Sequence, residues 1–231
     1  MTLESKTDSE TYIVRVSAWA PGIENSGEWD EWAAGKRNIS PNGKSPEISF
    51  TDSMFRRRLS QISKMTIHVI HSLLPLGENT KIIFLSFKGE QRRQFQINLM
   101  LLEEKGVSPA AFSLSVYNAP AALATIALNL KGGYSALFPG NDSFAAGLLA
   151  AQAALFASNA EELLFVYADE EAPPNFARSP KDCPAPAAIG FLFSRKHLSS
   201  AIPVSSVKTN KDNPMAFLKQ LLLGGGIHVS P

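Results

Sequence analysis

The turn Gly140-Asn-Asp-Ser-Phe144 joins a short apolar run to a long one. A strand-to-helix turn points a side chain at the positive end of the helix dipole, where a thiolate or an oxyanion is stabilised. Ser143 supplies a hydroxyl nucleophile there. It lacks Gly-x-Ser-x-Gly surroundings, and no histidine stands near it in sequence. Asn141, Asp142 and Ser143 are also residue types that cap a helix through their side-chain oxygens, which is their commoner use. Both readings stay open at this point.

Other residues with chemical potential are sparser. His68 and His71 have i, i+3 spacing and would share a helix face, but no further ligand cluster accompanies them. His197 and His228 stand alone. Arg56-Arg-Arg58 has guanidinium groups that match phosphate oxygens, or serves as a solvated helix start. Lys131-Gly-Gly133 and Gly224-Gly-Gly226 lack the phosphate-loop and dinucleotide patterns and read as turns. Cys183 is the only cysteine, so no intramolecular disulfide forms. No metal or cofactor is called for.

The elements that position these residues follow from hydrophobic periodicity. Tyr12–Trp19, Thr80–Phe87, Tyr134–Phe138, Glu162–Ala168 and Ala187–Phe193 read as strands. A short helix covers Glu28–Ala34, and Asn38–Ser53 is a loop rich in Pro, Gly, Asn and Ser. A long helix over Ser53–Leu74 carries Leu59, Ile62, Met65, Val69 and Leu73 on one buried stripe, with Pro75 and Gly77 as its stop. Further helices cover Glu90–Lys105, Asn118–Lys131, the segment from Asn141 to Ala157, and Asn213–Leu223. The one ending at Ala157 is apolar nearly all round, so burial on every side is expected. Asp169–Pro186 reads as an acidic, proline-rich loop. Alternating strands and helices predict an α/β fold, a mixed sheet with helices on both faces. The expected division is a main domain over 1–194 and a C-terminal appendage with one helix over 195–231.

Composition bounds the function class. The 231 residues are 45% hydrophobic and carry a net charge of +1. Bulk electrostatics gives no reason to expect nucleic acid or a membrane surface as partner. The longest apolar stretch, Phe144–Phe156, is interrupted only by Gln152 and is shorter than the roughly 20 residues that span a bilayer. Met1–Tyr12 is polar without the apolar core of a signal peptide, so a cytoplasmic protein is expected.

Two stretches resemble the N-terminal half of β-ketoacyl synthases. One is Ser115-Val-Tyr-Asn-Ala-Pro-Ala-Ala-Leu123. The other runs from Leu130 through Lys131-Gly-Gly133 to Asn141-Asp-Ser143, and places Asn141 where the family carries its nucleophilic cysteine. Phe55-Arg-Arg-Arg-Leu-Ser-Gln-Ile-Ser-Lys-Met65 resembles the family's arginine-rich entry to its first long helix, and Ala187–Phe193 its closing strand. Ser115–Ala119, Asp142–Leu149, Trp19, Pro21-Gly22 and Trp29–Gly35 are similar to the short synthase-like N-terminal domains of bacterial aryl polyene and related type II polyketide pathways.

The resemblance implies half of a thiolase-like fold with one buried central helix. It implies a non-catalytic, chain-length-factor-like subunit that pairs as a heterodimer with an active ketosynthase, and through it with an acyl carrier protein. Asn141→Cys alone is then not expected to restore condensation, because the half that carries the family's catalytic histidines does not follow. Tyr134, Ser135, Ala136, Leu137 and Phe138, with Asn118, would form the partner interface. Asn141, Asp142, Ser143 and Phe144 would form the vestigial site, with Phe95 and Leu99 facing the tunnel or packing in the core. The alternatives are a stand-alone serine-dependent acyl hydrolase or transferase using Ser143, and a homodimeric scaffold.

Overall fold

The computed structural model describes residues 10–40, 42–103, 105–139, 143–173, 185–209 and 212–230. The strands are β1 (Tyr12–Trp19), β2 (Lys81–Leu85), β3 (Tyr134–Leu137), β4 (Glu162–Asp169), β5 (Ala187–Ser194), β6 (Ile202–Pro203) and β7 (Val229–Ser230). The helices are α1 (Ser26–Ala33), α2 (Ser53–Arg56), α3 (Gln61–His71), α4 (Gln91–Leu102), α5 (Pro109–Ser113), α6 (Ala119–Ala127), α7 (Phe144–Ala157) and α8 (Pro214–Leu223).

The strands form one mixed sheet in the order β3-β2-β4-β5-β1-β6, with β7 pairing parallel to β1. β2 runs parallel to both β3 and β4, while β4, β5 and β1 are antiparallel. Alternation along the central strands divides the core. Leu163, Phe165 and Tyr167 of β4 face one layer with Phe191 and Phe193 of β5, and this layer includes α1, α7 and α8. Leu164, Val166 and Ala168 face the opposite layer, built from α3 and α6. Residues 195–231 add β6, β7 and α8, with Phe217, Leu218 and Leu221 in the first layer.

The helix expected over Ser53–Leu74 is two helices. Asp52 accepts from the Met54 and Phe55 N–H groups to start α2. Ser60, in an extended conformation, then accepts from the Ser63 N–H and starts α3 afresh. The predicted stripe survives the break: Leu59, Ile62, Met65, Val69 and Leu73 are all buried. α6 ends at Ala127 rather than Lys131, because Asn129 adopts a left-handed conformation (φ 52°) that terminates the helix. The short helix α5 was not anticipated, although Ser108 followed by Pro109 is a helix-start signal.

α7 differs from its expected all-round burial. Phe144, Gly147, Leu148, Ala151 and Leu155 face the sheet, but Ala146, Leu149, Ala153 and Phe156 face outward and are exposed. Gly147 lets the helix approach β2 closely, since a Cβ there would sit 2.6 Å from Leu85 Cδ2.

Candidate assembly surface and nucleophile turn

β3 is the terminal strand of the sheet, bonded to β2 on one side and to no described strand on the other. The expected edge position of Tyr134–Leu137 is therefore present, and the strand stops one residue before Phe138. Gly132 and Gly133 deliver the chain to it. A Cβ on Gly132 would lie 2.1 Å from the Thr80 carbonyl oxygen, so only glycine permits this approach to the start of β2. The Gly133 carbonyl accepts from the Ile82 N–H at 3.0 Å.

Tyr134 and Ala136 turn toward the α3–α6 layer and Leu137 toward the α7 layer. Asn118 caps no helical N–H; its Nδ2 donates to the Tyr134 hydroxyl at 2.9 Å, tying the start of α6 to the start of β3. Beside this edge, Phe138 is 62% exposed and Ile126 on α6 is 70% exposed. Leu149, in the middle of the outward stripe of α7, is 68% exposed. Unpaired strand edges and contiguous apolar helix faces are surfaces that associate.

Asn141 and Asp142 lie outside the described residues, as does Cys183. Ser143 is the N-cap of α7. Its Oγ accepts from the Ala146 N–H at 3.4 Å and donates to Asp212 Oδ1 at 2.9 Å, which ties the start of α7 to the turn before α8. The four histidines are engaged elsewhere. His71 stacks on Phe50, His197 packs edge-on against Tyr12, His228 faces Asp30, and His68 lines a cleft with Trp19 and Trp29. Burial holds His68 below its ordinary pKa. Ser143 thus has a cap and a carboxylate but no imidazole base. Among the described residues no group of three metal-ligating side chains converges, and no helix is long and apolar enough to cross a membrane.

Phe144 is fully buried at the centre of an aromatic cluster. Its ring lies 5.4 Å from Phe165, 5.6 Å from Phe217 and 6.0 Å from Tyr167. Phe95 is half-buried on α4. Leu99 is exposed there, with Met100, Leu101 and Leu102 exposed after it.

Two buried polar clusters at the carboxyl ends of β2 and β4 escaped sequence reading. Asp169 belongs to β4, not to the loop expected after Ala168. Its carboxylate accepts from the Phe87 and Lys88 N–H groups, Ser86 Oγ and the Tyr167 hydroxyl. Burial pushes its pKa up against these bonds. The Tyr117 hydroxyl accepts from the Ser86 N–H and faces the Ser86 and Leu137 carbonyls, joining the same turn to β3. Burial raises its pKa. In the second cluster Glu90, 1% exposed, accepts from Ser60 Oγ at 2.6 Å and Ser63 Oγ at 2.9 Å and pairs with Arg93 Nε at 3.2 Å. Glu170 lies beside it, 3% exposed, with Oε1 lacking any partner. Burial first, and then the charge of Glu90, lift the Glu170 pKa to about 7.

Comparison with known proteins places this architecture. Among solved structures, the chain is similar to one in the complex of the ketosynthase ApeO with its chain length factor ApeC from Xenorhabdus doucetiae. The match has 26% identity and a TM-score of 0.75, over 94% of this chain and 92% of that one. The ishigamide ketosynthase/chain length factor aligns at 14% identity and a TM-score of 0.65, over 84% of this chain and 64% of that one. AntDE:AntF, a type II polyketide acyl-carrier protein in complex with its ketosynthase, aligns at 15% and 0.60, over 80% and 63%. The last two share the fold. No curated protein matches the chain. The family model described as "Beta-ketoacyl synthase, N-terminal domain" matches residues 29–220, and the thiolase-like chain belongs to that family.

Proposed function

We propose that this chain is a non-catalytic, chain-length-factor-like subunit that forms a heterodimer with an active ketosynthase. The observation that carries the reading is the open β3 edge beside an outward apolar stripe on α7. Together they offer a partner backbone hydrogen bonds and apolar area at one end of the sheet. The similarity to a chain of a ketosynthase–chain length factor complex supports the same reading.

In this account the partner supplies the nucleophile and base for decarboxylative Claisen condensation of carrier-protein-bound malonyl units. Asn141 stands where the family's cysteine would stand. Phe144, buried in its aromatic cluster, holds the start of α7 rigid, and Ser143 caps it. The exposed apolar residues of α4, Leu99 among them, are candidates to bound the channel that receives the growing chain, with Phe95 behind them. An aryl polyene pathway and a cytoplasmic location are the setting this reading favours.

The test is co-expression with an active ketosynthase from the same source. The two chains are expected to co-purify, and condensation is expected only when both are present. Separate elution, with condensation by the ketosynthase alone at the same rate and product length, refutes the proposal.

A further inference from the structure

A cleft of about 360 Å³ opens where the start of α3 meets α4, away from the β3 edge. Arg57, Arg58, Arg92 and Arg93 line it with Gln61, and Glu170 is at its buried end. Four guanidinium groups in one cleft are a local concentration of charge in a chain whose net charge is only +1. Arg93 is committed: it pairs with Glu90 and donates to the Arg58 carbonyl at 2.9 Å. The guanidinium groups of Arg57, Arg58 and Arg92 have no hydrogen bond or ion pair among the described residues. Glu90 and Glu170 offset part of this charge, and the remaining guanidinium groups are exposed at the cleft and open to a further anion.

We propose that this cleft binds a tetrahedral oxyanion of the sulfate or phosphate type, free or esterified, through Arg57, Arg58 and Arg92. Guanidinium groups present paired N–H donors at the spacing of two oxyanion oxygens, and the cleft is wide enough for a substituent on one of them. Glu170 adds a protonation gate. Glu170 lines the cleft with Arg92 and Arg93, so its ionised carboxylate competes with an incoming anion for their charge and its neutral carboxyl does not. The groups facing Glu170 are Glu90 at the N-cap of α4, Arg92 and Arg93 from α4 and the Ile62 N–H from α3. Lys88 lies behind it with Nζ 3.5 Å from the Glu170 carbonyl oxygen, and Asp169 and Glu171 flank it in sequence. Ionised Glu170 opposes an incoming anion, and protonation removes that opposition.

The experiment is calorimetric titration of the full chain with sulfate, whose charge is constant between pH 6 and pH 8, against sodium chloride at equal ionic strength. Saturable sulfate binding is expected, weakened about tenfold or more by R57Q with R92Q, both at exposed positions. Affinity should fall from pH 6 to pH 8 in the native chain and stay level in E170Q. Ethyl phosphate binding at least as tightly as inorganic phosphate assigns the cleft to phosphate esters, and much weaker binding assigns it to the free ion. Retention of native sulfate affinity by the folded double variant, or an equal response to chloride, overturns the proposal. A melting curve for each variant separates loss of binding from loss of fold.

Discussion

Glu170 makes the stability of this chain depend on pH in a direction opposite to that of an ordinary paired carboxylate. The residue is 3% exposed, one carboxyl oxygen is unpartnered, and Glu90 stands beside it. The folded pKa is raised from the ordinary 4.5 to about 7. Between those values the folded state holds a proton that the unfolded state has released, so stability falls as pH rises through this window and is level above it. The shift corresponds to about 3 kcal/mol at pH 8 and about 1 kcal/mol at pH 5. Glu170→Gln mimics the neutral form and removes the penalty. Urea unfolding of both proteins at pH 5, 6, 7 and 8 should therefore show the variant more stable by about 3 kcal/mol at pH 8, with the gap closing toward pH 5. Comparing the two at each pH cancels other groups, including His68, whose lowered pKa costs stability as pH falls. A constant difference across the range, or a native chain more stable than the variant at pH 8, refutes the reasoning.

Leu149→Ala removes a side chain about two-thirds exposed in the free chain, so it should weaken assembly by about 1–2 kcal/mol, roughly 5- to 30-fold, in a titration with the ketosynthase. Leu149→Glu should abolish assembly, with the free chain's melting unchanged within about 0.5 kcal/mol. Gly132→Ala would press a methyl group into the Thr80 backbone and should destabilise by about 3 kcal/mol or more, while Gly147→Ala meets the buried Leu85 side chain and should cost about 1–3 kcal/mol. Asp169→Ala strands the Ser86, Phe87, Lys88 and Tyr167 donors, and denaturant unfolding should show a loss of about 3 kcal/mol.

Periodicity made most of the scaffold legible. The apolar stripe from Leu59 to Leu73 and the strands β4 and β5 follow from spacing alone, because burial repeats at the period of the backbone. The break at Ser60 was hidden because the stripe continues across it; only the side-chain bonds of Asp52, Ser60 and Glu90 reveal the two starts. α7 was readable as apolar all round, but composition does not say whether a neighbour belongs to the same chain. The clusters at Asp169 and Glu170 were illegible for a different reason. They join residues far apart in the chain, Ser86 to Asp169 and Ser60 to Glu90 for example, and the Asp-Glu-Glu run reads locally as an acidic loop. Of the nucleophile turn, Ser143 proved a cap and Phe144 a core residue. Asn118 and Tyr134, singled out by resemblance, are bonded to each other beside the open edge.

Pairing with a ketosynthase is decided by native mass spectrometry of the two chains mixed at equal concentration. One dominant species containing one copy of each chain is expected, lost when Leu149→Glu replaces the native chain. Separate monomers, or a homodimer of this chain that persists beside the ketosynthase, would contradict it.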